Sequence, residues 1–583
     1  MEKEGFRDAV RLPGWAAALI GVVAGAVALG VAQLVAGIVN PAASPVVAVG
    51  GAVVDRTPAA LKEWAIRTFG SNDKPVLITG IVVVLAVIAA GFGLLARRGA
   101  RFGTGGLALF GLVGAVAALT RPDSGPLDVL PSVLGAGVGA WALSRLLRRA
   151  GTPIPEWERD PRTSGRRLTE DAPGGTPAGT AGPALAGTAW RTPADTPGGG
   201  EPEGDGTVRP VEVVTPPVMR AGEGLYAFDR RRLLTGVAWG VGAAGVAGLG
   251  GNLLAGTKDG DIARSAVAKT LPRPAVPARP IPAGADLRVR GLSPFVTPNS
   301  DFYRVDTALV VPTVDPKSWT LKIHGLVDRP VELTFDDLLR RPLVEADVTL
   351  TCVSNEVGGP YIGNARWLGA RLADVLREAG IKRDADMLLS VSQDGWTCGT
   401  PVDVVMDGRD ALLAVAMNGE VLPTSHGFPV RQVVPGLYGY VSATKWVTEI
   451  KVTRFDRDEG YWTPRGWAPK GPIKTQSRID VPRGGDDVAA GRTTIAGVAW
   501  AQHRGIDAVE VQVDGGGWRQ AKLADVPGPD TWRQWSIDWD LPAGKHTISV
   551  RATDATGQTQ TPDEAPPAPD GATGYDTITV QVG

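Results

Sequence analysis

The chain has few cysteines and histidines, and it has no excess of charge of either sign. Its 583 residues include two cysteines, Cys352 and Cys398. Two cysteines are too few for a disulfide scaffold or for a four-cysteine zinc or iron–sulfur site. The 60 basic and 61 acidic residues give a net charge of −1, so the charge balance gives no indication of nucleic-acid binding. The four histidines all follow residue 300: His324, His426, His503 and His546. The hydrophobic N-terminal region therefore has no histidine pair to hold a haem.

Long apolar runs are abundant before residue 255. A helix that spans a membrane needs about 20 apolar residues, and five runs are within or near that range. They are Trp15–Val39, Val76–Leu95, Phe102–Leu119, Leu130–Leu147 and Leu233–Leu254. Twelve basic residues flank the ends that would face the cytoplasm, against five in the opposite loops. The charge bias predicts a cytoplasmic N-terminus, and five crossings would then place everything after Leu254 outside the cytoplasm.

The composition changes several times along the chain and predicts a multidomain protein. Gly, Pro, Thr and Ala dominate residues 151–228, as is typical of a flexible tether, here on the cytoplasmic side. Arg230, Arg231 and Arg232 precede the fifth apolar run. The arginines and this run together resemble a twin-arginine export signal. An ordinary positively charged flank explains these arginines equally well. The predicted segments are a four-helix transmembrane region (1–150), the linker (151–228), a fifth transmembrane helix (229–255), an extracytoplasmic spacer (256–284), an α+β domain (285–485) and a β-sandwich of immunoglobulin-like type (490–583).

The α+β domain contains the most informative stretch, from Val348 to Trp367. Val348, Leu350 and Cys352 alternate, so a strand here would place the three side chains on one face. A thiol where such a strand meets a glycine-containing loop is suited to binding a metal or to acting as a nucleophile. A small buried hydrophobic residue is the other interpretation of Cys352. The following residues, Trp367–Gly380, predict an amphipathic helix with Gly380 as its C-cap.

Six motifs in the second half of the chain occur together and in order. They are NSDFYR (299–304), TLTCVSN (349–355), NARWLGARLADVL (364–376), AMNGEVLP (416–423), HGFPVRQVVPG (426–436) and ATKW (443–446). With these motifs, the region from Asn299 to Gly583 resembles the sulfite oxidase family of molybdenum enzymes. The resemblance implies a molybdopterin-binding domain, followed by a sandwich that forms a homodimer.

The resemblance also implies roles for individual residues. Cys352 takes the position of the thiolate that ligates molybdenum, and Arg304 and Arg366 match arginines near the substrate pocket. A guanidinium suits a small oxyanion or oxide substrate. The remaining residues that the resemblance assigns to the molybdenum–molybdopterin cofactor are Asn299, Phe302, Tyr303, Asn355, His426, Arg431 and Lys445. No haem, flavin or nicotinamide is expected, so electrons would pass to or from an external quinone or cytochrome.

Two residues depart from the family pattern. Val415 occupies the position where sulfite oxidases have a tyrosine, and Asp306 the position where a histidine is usual. Both changes make the pocket less suited to sulfite. Three hypotheses follow: oxidation of sulfite or a related small anion, reduction of an S- or N-oxide, and a cofactor-free membrane scaffold or transport-associated protein.

Overall fold

The computed structural model describes residues 12–58, 61, 73–121, 124–153, 226–228, 230–255 and 258–583. The predicted linker, 151–228, lies outside the described residues except at its ends. There, Gly151–Pro153 (β1) pairs with Tyr226–Phe228 (β2) in an antiparallel ladder.

The N-terminal region is helical, and its helices reproduce the five apolar runs. The helices are α1 (Gly14–Val39), α2 (Pro45–Arg56), α3 (Asp73–Ala96), α4 (Ala100–Leu119), α5 (Leu130–Ala150) and α6 (Arg230–Ala255). Among the described residues, five helical stretches are long and apolar enough to cross a membrane, and α2 is too short. Many of their large apolar side chains are exposed, Trp239 and Val246 among them. Such exposed apolar surfaces are expected where helices face lipid.

Small residues allow the long helices to approach closely. A Cβ atom added at Gly21 of α1 would collide with the carbonyl oxygen of Ala89 in α3. One added at Gly93 of α3 would collide with the carbonyl oxygen of Ala17. Close backbone approach of this kind is how helices pack where no hydrophobic effect drives them together.

The described part of the segment predicted to be a spacer, 258–284, is packed against the following domain. It contains α7 (Lys258–Thr270), from which Arg264 donates hydrogen bonds to the carbonyl oxygens of Val421 and Leu422. Further along, Val276 pairs with Val344 in an isolated bridge. The described part of this segment therefore runs along the surface of the α+β domain.

The α+β domain has two five-stranded sheets around one core. Its strands are β3 (Thr320–Gly325), β4 (Val331–Thr334), β5 (Leu343–Thr351), β6 (Ile362–Arg371), β7 (Met387–Ser392), β8 (Thr397–Pro401), β9 (Leu412–Met417), β10 (Glu420–Val421), β11 (Arg431–Val433) and β12 (Val447–Thr453). Its helices are α8 (Phe335–Leu339), α9 (Leu372–Ala379) and α10 (Val402–Met406). One sheet has the order β10-β9-β6-β5, with β11 also paired to β9, and the other has the order β4-β3-β12-β7-β8.

The amphipathic helix begins five residues later than predicted. Residues 367–371 belong to β6, which pairs with β5 on one side and β9 on the other. Trp367 is fully buried between these neighbours, and this tertiary packing overrides the helix-forming preference of the Leu, Ala and Arg residues around it. The C-cap prediction is correct, because Gly380 has the left-handed conformation with φ 72°.

The C-terminal segment contains two further sheets with a shared core. Its strands are β13 (Gln476–Val481), β14 (Asp487–Val488), β15 (Gly491–Trp500), β16 (Ile506–Val513), β17 (Arg519–Gln520), β18 (Lys522–Leu523), β19 (Arg533–Leu541), β20 (Gly544–Asp554) and β21 (Asp576–Val582). Their orders are β13-β15-β19-β18 and β14-β21-β20-β16-β17. Thr349 of β5 accepts hydrogen bonds from Gln502 and from the backbone N–H of Trp532. The C-terminal sheets thus support the strand that ends at Cys352.

Candidate active site

Cys352 lies directly after β5, as the alternation of Val348 and Leu350 predicts. Its backbone N–H donates to the carbonyl oxygen of Tyr361. Its own carbonyl oxygen accepts from the backbone N–H of Asn355. The Asn355 side chain accepts from the N–H of Tyr361 at 2.7 Å. These bonds hold the loop that begins at Cys352 in one conformation, so the position of its thiol is defined by backbone contacts.

The Cys352 thiol is buried and forms no disulfide with Cys398. The residue is 8% exposed, and both Cys352 and Cys398 are free. Cys398 is in β8, where its sulfur is 3.7 Å from the Thr400 hydroxyl, so the two thiols do not form a disulfide that would compete with a metal. Burial raises the pKa of Cys352, while hydrogen bonds from Ser354 and the charge of Lys445 oppose that rise. A bound metal ion would instead favour the thiolate form of Cys352, because metal binding deprotonates a ligating thiol.

Aromatic rings form one wall beside this thiol. Phe302 stacks on Tyr303 with ring centroids 5.2 Å apart, and it contacts Trp367 and His426 edge-on. Burial raises the pKa of Tyr303, and the negative charge of a Cys352 thiolate raises it further. Tyr303 therefore stays a neutral phenol, and the motif NSDFYR contributes packing as well as polar groups.

Arg431 lies beneath this wall. Its guanidinium carbon is 4.8 Å from the centre of the Trp367 ring, and its Nη1 donates to the carbonyl oxygen of His426 at 3.1 Å. Burial lowers the pKa of Arg431 to about 10, which leaves it charged at neutral pH. Its Nε is buried and has no hydrogen-bond partner among the described residues.

His426 is a neutral imidazole. Burial, with the nearby charges of Arg431 and Lys445, lowers the pKa of His426 to about 4. Its Nε2 donates to the carbonyl oxygen of Asn299 at 3.2 Å. That bond assigns the proton to Nε2 and leaves Nδ1 as a hydrogen-bond acceptor.

Lys445, Arg304 and Asp306 form a cluster of ion pairs. The Lys445 ammonium is 2.6 Å from Asp306 Oδ2, and Arg304 Nε is 2.8 Å from the same oxygen. Burial lowers the pKa of Lys445 to about 8, although the carboxylate of Asp306 acts in the opposite direction. Asp306 is thus the direct partner of two cations that were predicted to bind cofactor and substrate.

The structure brings most of the predicted residues together but leaves Arg366 outside the cluster. Arg366 donates to both oxygens of Asp347 at 2.9 and 2.8 Å and to the carbonyl oxygen of Arg279. It follows Ala365 and precedes Trp367 in β6, and successive side chains of a strand point to opposite faces. Because Trp367 is on the face of Arg431 and Phe302, Arg366 is on the other face, paired across the ladder with Asp347.

Asn299 has a supporting position. Its side-chain oxygen accepts from Asn418 at 2.9 Å, and its amide donates to the carbonyl oxygen of Met417. These bonds join the NSDFYR segment to the turn after β9. Val415, the first departure from the family pattern, is fully buried within β9.

Sequence reasoning missed two residues of this site. Trp367 was assigned to a helix, although it supplies the ring under Arg431. Asp394 lies close enough to Asp306 and Lys445 for their charges to affect it, and burial raises its pKa. No sequence signal identifies Asp394, because it follows β7 in an unremarkable turn. The signal for Trp367 was present in the NARW motif, where a tryptophan follows a predicted site arginine.

The residues present fit an anionic pterin cofactor. Arg431 Nε and Asn355 Nδ2 are buried donors without a hydrogen-bond partner in the part of the chain that the structure describes. A buried donor without a partner is costly, and an anionic or carbonyl-bearing ligand would satisfy it. A free thiol, a neutral imidazole and two buried cations near the same point form a donor set of the required kind.

Comparisons with known proteins agree with this donor set. The family described as oxidoreductase molybdopterin binding domain matches residues 308–462. Mitochondrial sulfite oxidase from Homo sapiens is 34% identical over 303 residues, which cover 44% of this chain and 55% of that protein. Sulfite oxidase from Gallus gallus is 31% identical over 322 residues, covering 47% of this chain and 69% of that protein.

A solved structure, that of the sulfane dehydrogenase SoxCD from Paracoccus pantotrophus, is 26% identical to this chain in sequence, with a TM-score of 0.42. The match covers 52% of this chain and 88% of the SoxCD chain. This chain spans about half the length of the mammalian sulfite oxidases that it matches. The family match contains Cys352, His426, Arg431 and Lys445, whereas Asn299–Asp306 precede it. The chain therefore belongs to the sulfite oxidase family of molybdopterin-dependent oxidoreductases.

Proposed function

We propose that the chain is a membrane-anchored oxidoreductase that transfers an oxygen atom to or from a small sulfur- or nitrogen-containing substrate outside the cytoplasm. The observation that supports this best is the free, buried thiol of Cys352 within electrostatic range of Lys445. Around it, Tyr303, His426 and Arg431 contribute one neutral phenol, one neutral imidazole and one buried cation.

Each residue has a role that its surroundings allow. Cys352 would ligate the metal, and the cofactor when bound supplies the two-electron oxygen-atom chemistry. Arg431, with its unpartnered Nε, would donate to the anionic group of the pterin, and Trp367 would hold the guanidinium in place. His426 Nδ1 can accept a hydrogen bond from the pterin, since its Nε2 donates to Asn299. Phe302 and Tyr303 would exclude water from the thiol.

The test is metal analysis of the purified full-length protein. We expect stoichiometric molybdenum in the wild type and its loss in Cys352→Ser, because a hydroxyl is a poor ligand where a soft thiolate is required. Cys398→Ser is the matched control and should retain the metal. A wild type without molybdenum would contradict the proposal and leave the scaffold or transport-associated protein as the better interpretation.

Reduction of an S- or N-oxide is the second candidate reaction. It is favoured by Val415, a buried aliphatic side chain where sulfite oxidases have a phenol. Steady-state assays with sulfite and an artificial acceptor, and with a sulfoxide and a reduced dye, separate the two directions. Activity with neither substrate would count against both.

Anchoring and orientation are part of the same proposal. Five apolar helices and the excess of arginine at one side support a cytoplasmic N-terminus and linker, with the catalytic and C-terminal domains outside. The three arginines before α6 suit a twin-arginine signal. A reporter fused after Gly583 should be active only outside the cytoplasm. Cytoplasmic activity of that fusion would overturn the orientation.

The partners follow from this location. A membrane quinone or a cytochrome would exchange electrons with the site. The two C-terminal sheets, which we assign to the immunoglobulin-like type, would form the contact of a homodimer. Mass measurement in detergent tests the dimer, with a monomeric mass as the contrary result.

A further inference from the structure

The carboxylate of Asp306 is placed between the two cations at the side of the pocket. Arg304 donates through Nε to Asp306 Oδ2 at 2.8 Å and through Nη2 to Oδ1 at 3.3 Å. Lys445 donates to the same Oδ2 at 2.6 Å. Both oxygens of one carboxylate are therefore used to neutralise two positive side chains.

Burial makes this arrangement strong. The side chain of Asp306 is only 5% exposed and that of Lys445 is 10% exposed, whereas that of Arg304 is 36% exposed. Charges that are shielded from water interact more strongly than surface charges and are screened less by salt. An incoming anion must therefore compete with a carboxylate that is already held in place by the chain.

The local structure fixes the position of Asp306. Two positions before Arg304, Phe302 is buried against Trp367 and His426. On the other side, Lys445 also donates to the carbonyl oxygen of Ser425 and lies over the Trp446 ring. Each partner of the carboxylate is thus held by contacts of its own.

A second acidic side chain, Asp394, lies near this ion-pair cluster. Asp394 is near enough to Asp306 for the two to repel and near enough to Lys445 to be attracted. At this side of the pocket two cations face two acidic groups, and the third nearby cation, Arg431, is assigned to the anionic pterin, so an anionic substrate has little net positive charge to bind. Like charges placed together repel, so the Asp306 carboxylate opposes the binding of an anion.

A hydrogen-bond donor remains available on Arg304. Its Nε and Nη2 donate to Asp306, while Nη1 makes no hydrogen bond among the described residues. A neutral acceptor such as a sulfoxide oxygen needs one donor and no net charge. The pocket thus has what an uncharged oxide requires, and its charges oppose an anion.

We infer that Asp306 is a built-in counter-ion that makes this pocket selective for an uncharged S- or N-oxide over anionic sulfite. The inference rests on the proposed function. With a quinol as the electron donor, the reaction would be R₂SO + QH₂ → R₂S + H₂O + Q. The S–O bond breaks, the quinol supplies two electrons and two protons, and the oxygen leaves as water.

The first test measures anion binding by the full-length protein, with sulfate as the probe in titration calorimetry. Asp306→Asn keeps the shape and removes the charge, so it should bind sulfate about tenfold more tightly than the wild type. Asp301→Asn alters an exposed carboxylate of the same segment and should leave the affinity unchanged. Asp306→Glu preserves the charge and should also exclude sulfate, which guards against misfolding of the first variant. Equal sulfate affinity in the wild type and in Asp306→Asn would overturn the inference.

The second test compares kcat/KM for dimethyl sulfoxide with reduced benzyl viologen and for sulfite with an artificial acceptor. The ratio should favour the sulfoxide in the wild type and shift about tenfold towards sulfite in Asp306→Asn. A wild-type preference for sulfite would contradict the inference while leaving the molybdenum enzyme intact. Absence of molybdenum would defeat the proposed function, and the sulfate titration would still report on the counter-ion.

Discussion

The guanidinium of Arg431 lies 4.8 Å from the centre of the Trp367 ring. The two residues come from different strands, β11 and β6, which are both paired with β9. The sheet therefore places a buried cation on an aromatic face and leaves its Nε available to a ligand.

Arg431→Gln should reduce the molybdenum and pterin retained by the purified protein by about tenfold or more. The substitution removes a charge-assisted donor, and such hydrogen bonds contribute about 1.5–3 kcal/mol each. The measurement is the ratio of metal and pterin to protein after gel filtration. Arg371→Gln, which alters a half-exposed ion pair with Asp410, is the control and should retain the cofactor. Equal retention by both variants would refute the role of Arg431.

The same substitution should affect stability at Arg366 and substrate binding at Arg304. Arg366→Gln leaves the buried Asp347 without its cation and should lower the free energy of unfolding by about 1–3 kcal/mol, with KM little changed. Arg304→Gln should change KM and leave the melting temperature nearly unaltered. Thermal unfolding and steady-state kinetics of both variants provide the comparison.

A double variant separates the ion pair from other effects of Arg366. Asp347→Asn together with Arg366→Gln should recover part of the lost stability, because no uncompensated buried charge remains. A changed KM with unchanged stability in Arg366→Gln would instead restore Arg366 to the substrate pocket.

His426 predicts a pH dependence of stability. Its pKa is about 4 in the folded protein against 6.5 ordinarily. Between these values the unfolded chain binds more protons, so the free energy of unfolding falls as the pH decreases from 6.5 to 4. The loss attributable to this one residue is about 3 kcal/mol.

Denaturation of the wild type and of His426→Gln between pH 4 and 7 measures this component. The variant should show a shallower decline on the acid side. Parallel curves for wild type and His426→Gln would show that His426 is not held neutral by its surroundings.

Two glycines of α3 make a matched pair for testing the packing of the N-terminal helices. Gly93→Val places a side chain against the backbone of α1, whereas Gly91→Val meets nothing within 4 Å. Gly93→Val should lower the melting temperature in detergent. It should also weaken cross-linking between cysteines introduced into α1 and α3. Gly91→Val should behave as the wild type does, and equal loss in both would refute the close packing.

The sequence alone predicts features that depend on local pattern. Apolar length identifies the five helices, since the number of apolar residues needed to cross a lipid bilayer is nearly constant. Alternation places Cys352 at the end of a strand, because side chains of a strand have a period of two. Ordered motifs name most of the residues that surround it, and only glycine at 380 readily adopts the left-handed C-cap.

Tertiary structure decides what each of those side chains contacts. Arg304 and Arg366 look equivalent in sequence, yet pairing of β5 with β6 joins Arg366 to Asp347, and only Arg304 reaches Asp306. Residues 367–371 form a strand because two neighbouring strands bury Trp367. The local helix preference of these residues contains no information about those neighbours. Lys445 meets Asp306 from 139 positions away in sequence. The charge of the pocket depends on such long-range contacts, since an ion pair requires proximity in space, which no local pattern encodes.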